Sequence, residues 1–256
     1  MATTEFDSNA DWKAWGNLDP LWGVASVPGK ERGSLQPWTA EEFYENGRRE
    51  WALHLARWKA YGLDTASCVE IGCGAGRITR QLGETFGEVH GVDVSEGMLA
   101  VAKANCTAPN LHFHLTDGAT LPLPDGSVSA AFSSFVFQHF DTLEHGAHTF
   151  AAIARALRPG GTLFITLPIH EWPRRLPAFS LLWEARQTLE HAHAWARRRL
   201  SARGLGKPTM RGLSYPVGWF FDTLPGLGLT DLEVVFFSRE TPWGLMDSRG
   251  VLARRR

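Results

Sequence analysis

The chain offers little from which a covalent or metal framework is built. Its 256 residues hold three cysteines, Cys68, Cys73 and Cys106. That number is odd, and Cys68 and Cys106 fall in stretches that read as regular structure. Disulfides and a zinc site are therefore not expected, and a reducing cytoplasm is the simpler setting. No excess of either charge exists: 26 Lys and Arg face 27 Asp and Glu, for a net charge of −1 and a pI near 6.8. A global basic field that recruits nucleic acid or anionic membrane is excluded. No apolar run approaches the roughly 20 residues that span a bilayer. The opening residues Met-Ala-Thr-Thr-Glu-Phe-Asp are polar and acidic, unlike a secretory signal. Internal repeats and low-complexity tracts are missing as well. The length suits one α/β domain with an elaboration.

What the chain does have is concentrated at residues 68–76, Cys-Val-Glu-Ile-Gly-Cys-Gly-Ala-Gly. An apolar strand runs into alternating glycines, a helix follows, and a second strand ends at Val92-Asp93-Val94. This order describes the first β-α-β unit of a nucleotide-binding sheet. Gly72, Gly74 and Gly76 remove Cβ atoms from the turn, so backbone amides can approach a ligand. Asp93, 17 residues past Gly76, stands at a strand tip where a carboxylate can accept both hydroxyls of a ribose. A dinucleotide fingerprint needs a glycine at the sixth position, and counting from Gly72 that position is Arg77. Glu70 before the glycines would repel a pyrophosphate but suits a ligand with a positive amino end.

Later segments continue the pattern. Leu111-His-Phe-His-Leu-Thr-Asp117-Gly118-Ala119 reads as a third strand ending in an acid, and 121–126 is a proline-rich turn. Val128–Phe137 reads as a fourth strand, trailed by Gln138-His139-Phe140. Phe150, Ile153, Ala154 and Leu157 mark a helix that Arg158-Pro159-Gly160-Gly161 stops, and Thr162–Leu167 is a fifth strand. Leu229–Phe237 is a sixth, and Gly250–Arg254 a seventh, pairing antiparallel in a hairpin with the sixth.

The motif E-x-G-x-G-x-G, then D-x-x-x-L-P, Q-H and L-R-P-G-G, resembles the class I S-adenosylmethionine-dependent methyltransferases over about residues 66–168. The resemblance implies a Rossmann-like α/β fold, doubly wound, with a seven-stranded, mostly parallel sheet whose last strand is antiparallel. It implies an N-terminal helical lid segment (1–61), a domain over 62–256, and a helical insert at about 169–228. It implies S-adenosylmethionine as cofactor and S-adenosylhomocysteine as product, with no metal. Gly72, Cys73, Gly74, Gly76 and Ser134 are then expected around the methionine end. Glu70 contacts the amino group or orders the loop, and Asp93 holds the ribose. Asp117, Gly118 and Ala119 meet the adenine edge, while Val94 and Met98 pack on its faces.

The segment before the first strand is dense in tryptophan, and Trp51, Leu55 and Trp58 sit at helical spacing within a helix expected from Thr39 to Tyr61. A second helix is expected through Leu182, Leu189 and Trp195. Eleven tryptophans are about three times the usual share. Aromatics gathered in the elements that cover such a site suit an apolar or aromatic small molecule, held by Trp15, Trp22, Tyr44, Phe135, His139, Trp172 and Tyr215. Methyl transfer is an in-line displacement that owes most of its rate to positioning. A general base, where the acceptor must lose a proton, is sought in His139, His170 or Glu171. Strand four lacks the acids of magnesium-dependent enzymes and the Pro-Cys of cytosine-C5 methylation, and no Asn/Asp-Pro-Pro-Tyr/Phe tetrapeptide is present.

The leading expectation is therefore an O- or N-methyltransferase of a small molecule, with no nucleic acid or membrane partner. An RNA or protein methyltransferase, using Arg197–Arg199, Arg203 and Arg254–Arg256 as a patch, and a non-catalytic binder of the cofactor are the alternatives. The pattern specifies neither an oligomeric state nor the acceptor.

Overall fold

The computed structural model describes residues 7–170, 189, 210, 212–241 and 244–256. Three helices come first: α1 (Asp7–Leu18), α2 (Pro20–Val24) and α3 (Ala40–Tyr61). The α3 boundaries follow local chemistry. Thr39 caps its start in a reciprocal pair with Glu42, and Gly62 at φ 106° closes its end. Then follow β1 (Ser67–Ile71), α4 (Thr79–Gly83), β2 (Glu88–Asp93), α5 (Glu96–Asn105), β3 (Leu111–Leu115), β4 (Val128–Ser134), α6 (Leu143–Ala156) and β5 (Leu157–Thr166). Two short strands, β6 (Ile169–His170) and β7 (Tyr215–Pro216), pair with each other. Helix α7 (Val217–Thr223) leads to the long hairpin of β8 (Leu229–Thr241) and β9 (Gly244–Arg255).

The sheet has seven strands in the order β3-β2-β1-β4-β5-β9-β8. All pairings are parallel except those of β9, which runs antiparallel to both β5 and β8. The expected doubly wound, mostly parallel sheet with an antiparallel last strand is what forms. The order reverses between β1 and β4, and open α/β sheets bind ligands at such a switch, beyond the carboxyl ends of the strands.

Helices cover both faces, so the central strands are buried and read as continuous apolar runs. One face buries Phe137, Phe150, Ile153, Leu163, Ile165, Tyr215 and Phe220 against α6 and α7. The other buries Trp51, Trp58, Phe86, Phe132, Phe164 and Leu252 against α3. Two indole N–H groups fasten α3 to that face, Trp58 Nε1 donating to Thr162 Oγ1 at 2.9 Å and Trp51 Nε1 to Thr85 Oγ1 at 3.1 Å. Much of the tryptophan enrichment is thus core packing.

Several boundaries differ from the sequence reading. β4 ends at Ser134 rather than Phe137, because Phe135 turns to φ 57° and leaves the extended region. The helix ends at Ala156 and β5 begins at Leu157 rather than Thr162, carrying Arg158-Pro159-Gly160-Gly161 through a register shift. Arg254 is a tie: it donates to the carbonyls of Gly160 and Tyr61 and meets Asp231. Arg255 donates to the carbonyls of Leu227 and Gly228. The expected helix through Leu182 and Trp195, with Arg197–Arg199 and Arg203, lies outside the described residues. Among the described residues no helix is long and apolar enough to cross a membrane.

Candidate functional site

A cavity of about 1080 Å³ opens at the carboxyl ends of β1, β4 and β5. Its floor is the turn after β1. Gly72 sits at φ +68°, and a Cβ there would come within 2.4 Å of Val136 Cγ2. The turn needs glycine for backbone conformation and for space alike. Its shape is fixed from the neighbouring strand. Asp93, at the end of β2, accepts the Gly74 N–H on Oδ2 at 2.8 Å and the Ser95 N–H on Oδ1 at 2.9 Å. Burial pushes the Asp93 carboxyl up to about 6, against the opposing pull of the Ser95 and Gly74 amides. Ser95 in turn caps α5.

Glu70 is 3 % exposed and accepts a 2.6 Å hydrogen bond from Thr79 Oγ1. Burial raises its carboxyl to about 8, and the Thr79 hydroxyl offsets part of that rise. Burial outweighs the pull of nearby Arg77, so this carboxyl favours its neutral form.

The helix α3 supplies a second wall. Asn46, Glu50 and Leu53 follow one face at spacings of four and three, opposite the stripe of Trp51, Leu55 and Trp58 that enters the core. Glu50 accepts both terminal nitrogens of Arg77, at 3.0 and 3.2 Å, and the Ser134 hydroxyl at 2.6 Å. Burial opposes ionisation of Glu50, but Arg77 and His54 outweigh it and hold the carboxyl well below its usual range. The arginine that breaks a dinucleotide fingerprint thus joins the glycine turn, α3 and the tip of β4.

The helix α1 closes the third side with Ser8, Asn9 and Trp12. Asn9 Nδ2 donates to the Asp117 carbonyl at 2.8 Å, and Ser8 Oγ to Asp141 Oδ2 at 3.2 Å. At Gly16 the helix lies so close to α5 that a Cβ would stand 2.1 Å from Ser95 Oγ.

The cavity wall includes Glu70, Gly72, Cys73, Gly74, Asp93, Val94, Met98, Gly118, Ala119, Ser134, Phe135 and His139. Other residues singled out from the sequence lie off the wall. Gly76 backs onto Cys106 and Ala102. Asp117 spends Oδ1 on the Ala119 and Thr120 amides and the Thr120 hydroxyl, closing its own turn. Trp15 is buried against Trp22 and beside Met98, and Trp22 donates to the Val27 carbonyl. Tyr44 donates to the Ala75 carbonyl from within the core, and Tyr215 to that of Phe137. These rings shape the wall from behind rather than forming it. His170 turns to Ser214 Oγ at 2.9 Å, and Glu171 and Trp172 lie outside the described residues. The contributions of Trp12, Asn46, Glu50 and Arg249 did not emerge from motifs. The spacing of Asn46, Glu50 and Leu53 on one face of α3 is a signal that could have found the second and third of these.

His139 meets Trp12 edge-on at 4.8 Å, and burial lowers its pKa to about 4, so it is neutral near pH 7. Gln138 Nε2 lies 3.1 Å from His139 Nε2. An amide nitrogen only donates, so this ring nitrogen is the one that accepts. Among the described residues no group of three or more His, Cys, Asp or Glu is arranged to hold a metal ion.

Residues 69–165 match the model of a family described as a methyltransferase domain. The chain carries a methyltransferase domain. Over 103 residues this chain is 34 % identical to phosphoethanolamine N-methyltransferase 2 of Caenorhabditis elegans, a match covering 39 % of this chain and 23 % of that protein. It is 29 % identical over 176 residues to malonyl-[acyl-carrier protein] O-methyltransferase of Enterobacter lignolyticus, covering 66 % of each. The matched stretches span between 23 % and 66 % of these curated relatives' length. Among solved structures, magnesium protoporphyrin IX methyltransferase from Synechocystis, with bound S-adenosylhomocysteine, superposes with a TM-score of 0.60 at 16 % identity. That likeness covers 98 % of this chain and all of that one, and it establishes the methyltransferase domain's fold.

Proposed function

We propose that this protein uses S-adenosylmethionine to methylate an O or N atom of an apolar or aromatic small molecule. The observation that carries this reading is the clasp of Asp93 on the Gly74 amide beside the buried Glu70. The residues fit the cofactor. Asp93 takes the Gly74 and Ser95 amides, one on each oxygen, and a carboxylate has about four lone-pair sites, so acceptor capacity is left for a ribose hydroxyl. Glu70 suits the amino end, Val94 and Met98 the adenine faces, and the Gly118 and Ala119 backbone the adenine edge.

When bound, the cofactor supplies an activated methyl on a sulfonium. The chain's own part is to bind, to exclude water and to align the acceptor, which is worth a large effective concentration. Trp12, Phe135, Val136, Phe140 and Leu53 give the rest of the cavity an apolar wall for the acceptor's body. His139, neutral near pH 7, is the proposed base for an acceptor that must lose a proton: its Nε2 lone pair, which accepts from Gln138 in the ligand-free protein, would pass from that amide to the acceptor's proton. The relatives' names include both O- and N-methyltransferases, which supports leaving both atoms in the proposal. The basic ends that an RNA-binding alternative would use are engaged at Arg254 and Arg255 in structural bonds, which favours a small acceptor.

The test is calorimetric titration with S-adenosylmethionine, S-adenosylhomocysteine and NAD, followed by a screen for methyl transfer to small aromatic alcohols, acids and amines. Micromolar binding of the first two supports the reading. Binding of NAD alone would sink it.

A further inference from the structure

Three arginines line the cavity, Arg49, Arg77 and Arg249. Two have carboxylates. Arg77 is held by Glu50, and Arg49 meets Glu45 Oε1 at 3.1 Å. Arg249 has none among the described residues. It gives one terminal nitrogen to the Ile169 carbonyl, and its guanidinium lies over the Phe236 ring at 5.1 Å. A guanidinium carries five N–H donors in a fork that matches the two oxygens of an oxyanion. Set on the wall beside Leu167, Pro168, Ile169, Ser238 and Ser248, such a group has, among the described residues, no carboxylate to offset its desolvation. We propose that Arg249 receives an oxyanion, a carboxylate or phosphate, at the far end of the acceptor.

The strand register gives the length of that acceptor. Ser134 at the tip of β4 pairs with Thr166 on β5, and Thr166 pairs with Gly250 on β9, the neighbour of Arg249. Adjacent strands lie about 4.8 Å apart, so two spacings put Arg249 about 10 Å along the sheet edge from Ser134. Glu70, Asp93 and Ser134 occupy the opposite end, where the cofactor is proposed to bind. The cavity is therefore polarised, with acids at the cofactor end and, at the other, a cation that meets no carboxylate among the described residues. An elongated aromatic acid, with its nucleophile and its oxyanion at opposite ends, spans the two. This inference rests on the methyltransferase reading, because that reading decides which end holds the cofactor.

The experiment uses the full chain saturated with S-adenosylhomocysteine, whose own binding is measured first. Benzoate, 4-hydroxycinnamate and 2-naphthoate are titrated beside their primary amides and beside phenyl phosphate, into wild type, Arg249→Gln and Arg249→Lys. At least one acid is expected to bind wild type about tenfold or more tightly than its amide. That preference collapses in Arg249→Gln and is partly kept in Arg249→Lys, while affinity for S-adenosylhomocysteine stays the same in all three. Tighter binding of phenyl phosphate than of any acid identifies the oxyanion as a phosphate ester and supports the proposal. In wild type, no acid preferred over its amide together with phenyl phosphate bound no more tightly than the amides, or an oxyanion preference that survives in Arg249→Gln, overturns it while leaving the cofactor reading intact. Failure of S-adenosylhomocysteine to bind overturns both.

Discussion

Asp93 and Gly74 are joined by a 2.8 Å hydrogen bond from the glycine amide to the carboxylate Oδ2, across a sequence separation of 19 residues. The tip of one strand thereby sets the turn at the end of the next, before any ligand arrives. Substituting Asp93→Ala removes a charge-assisted bond and the proposed ribose contact together. Affinity for S-adenosylmethionine is expected to fall at least tenfold, about 1.4 kcal/mol or more, as read by calorimetry. Undiminished affinity would exclude Asp93 from the site.

If Glu70 faces the amino end of the cofactor as proposed, binding should release a proton. With its carboxyl at about 8, Glu70 is mostly protonated at pH 7, and a cationic ligand beside it favours the carboxylate. Titrations in buffers of different ionisation enthalpy should show protons released near neutral pH. The release should vanish in Glu70→Gln. Proton uptake in the wild type would contradict the assignment.

The same residue shapes stability in the ligand-free protein. A carboxyl raised above its unfolded value binds its proton in the folded state first, so Glu70 adds stability as pH falls below about 8. His139 and His145, both lowered by burial to about 4, act oppositely and remove stability as pH falls below their unfolded value near 6.5. Asp93, raised to about 6, adds stability as pH falls below that value, and Glu50, held well below 4.5, adds to the loss at lower pH. Thermal midpoints should rise from pH 8 to about 6.5 and then stop rising. The rise should be absent in Glu70→Gln.

Arg77 and Glu50 form a buried pair, with side chains only 9 % and 10 % exposed. Removing one partner leaves an uncompensated charge and costs about 3–5 kcal/mol. Arg77→Met is therefore expected to destabilise strongly, and the double substitution Arg77→Met with Glu50→Leu to recover much of the loss. Chemical denaturation of the four proteins measures the coupling, and simple additivity would argue against a pair.

Gly72→Ala tests backbone and space separately. Positive φ costs a non-glycine residue roughly 1–2 kcal/mol, and the contact with Val136 adds an overpacking cost of about 1–3 kcal/mol. Combining Gly72→Ala with Val136→Ala should relieve the second cost and leave the first. Denaturation midpoints of the single and double variants separate the two.

What the sequence determined by itself is the order of the elements and the chemistry of the turn. Parallel buried strands must be apolar, helices need caps, and a turn with positive φ needs glycine. Each of these marks lies within a few residues of the element it creates, as with Thr39 and Glu42 at the start of α3 or Gly72 after β1. The seven strands and the loops at one sheet edge were legible for that reason.

What only the tertiary structure decided is which side chains face the cavity. Trp15, Tyr44 and Tyr215 carry the same signal in sequence as Trp12 and Phe135, since each is an aromatic in or near a covering element. The first three are turned into the core and the other two line the cavity. Glu50 meets Arg77 across 27 residues and Ser134 across 84, and Arg249 reaches the wall only because β9 inserts beside β5. Such contacts depend on how helices and strands pack, and packing is set by the whole core at once. No local pattern encodes them.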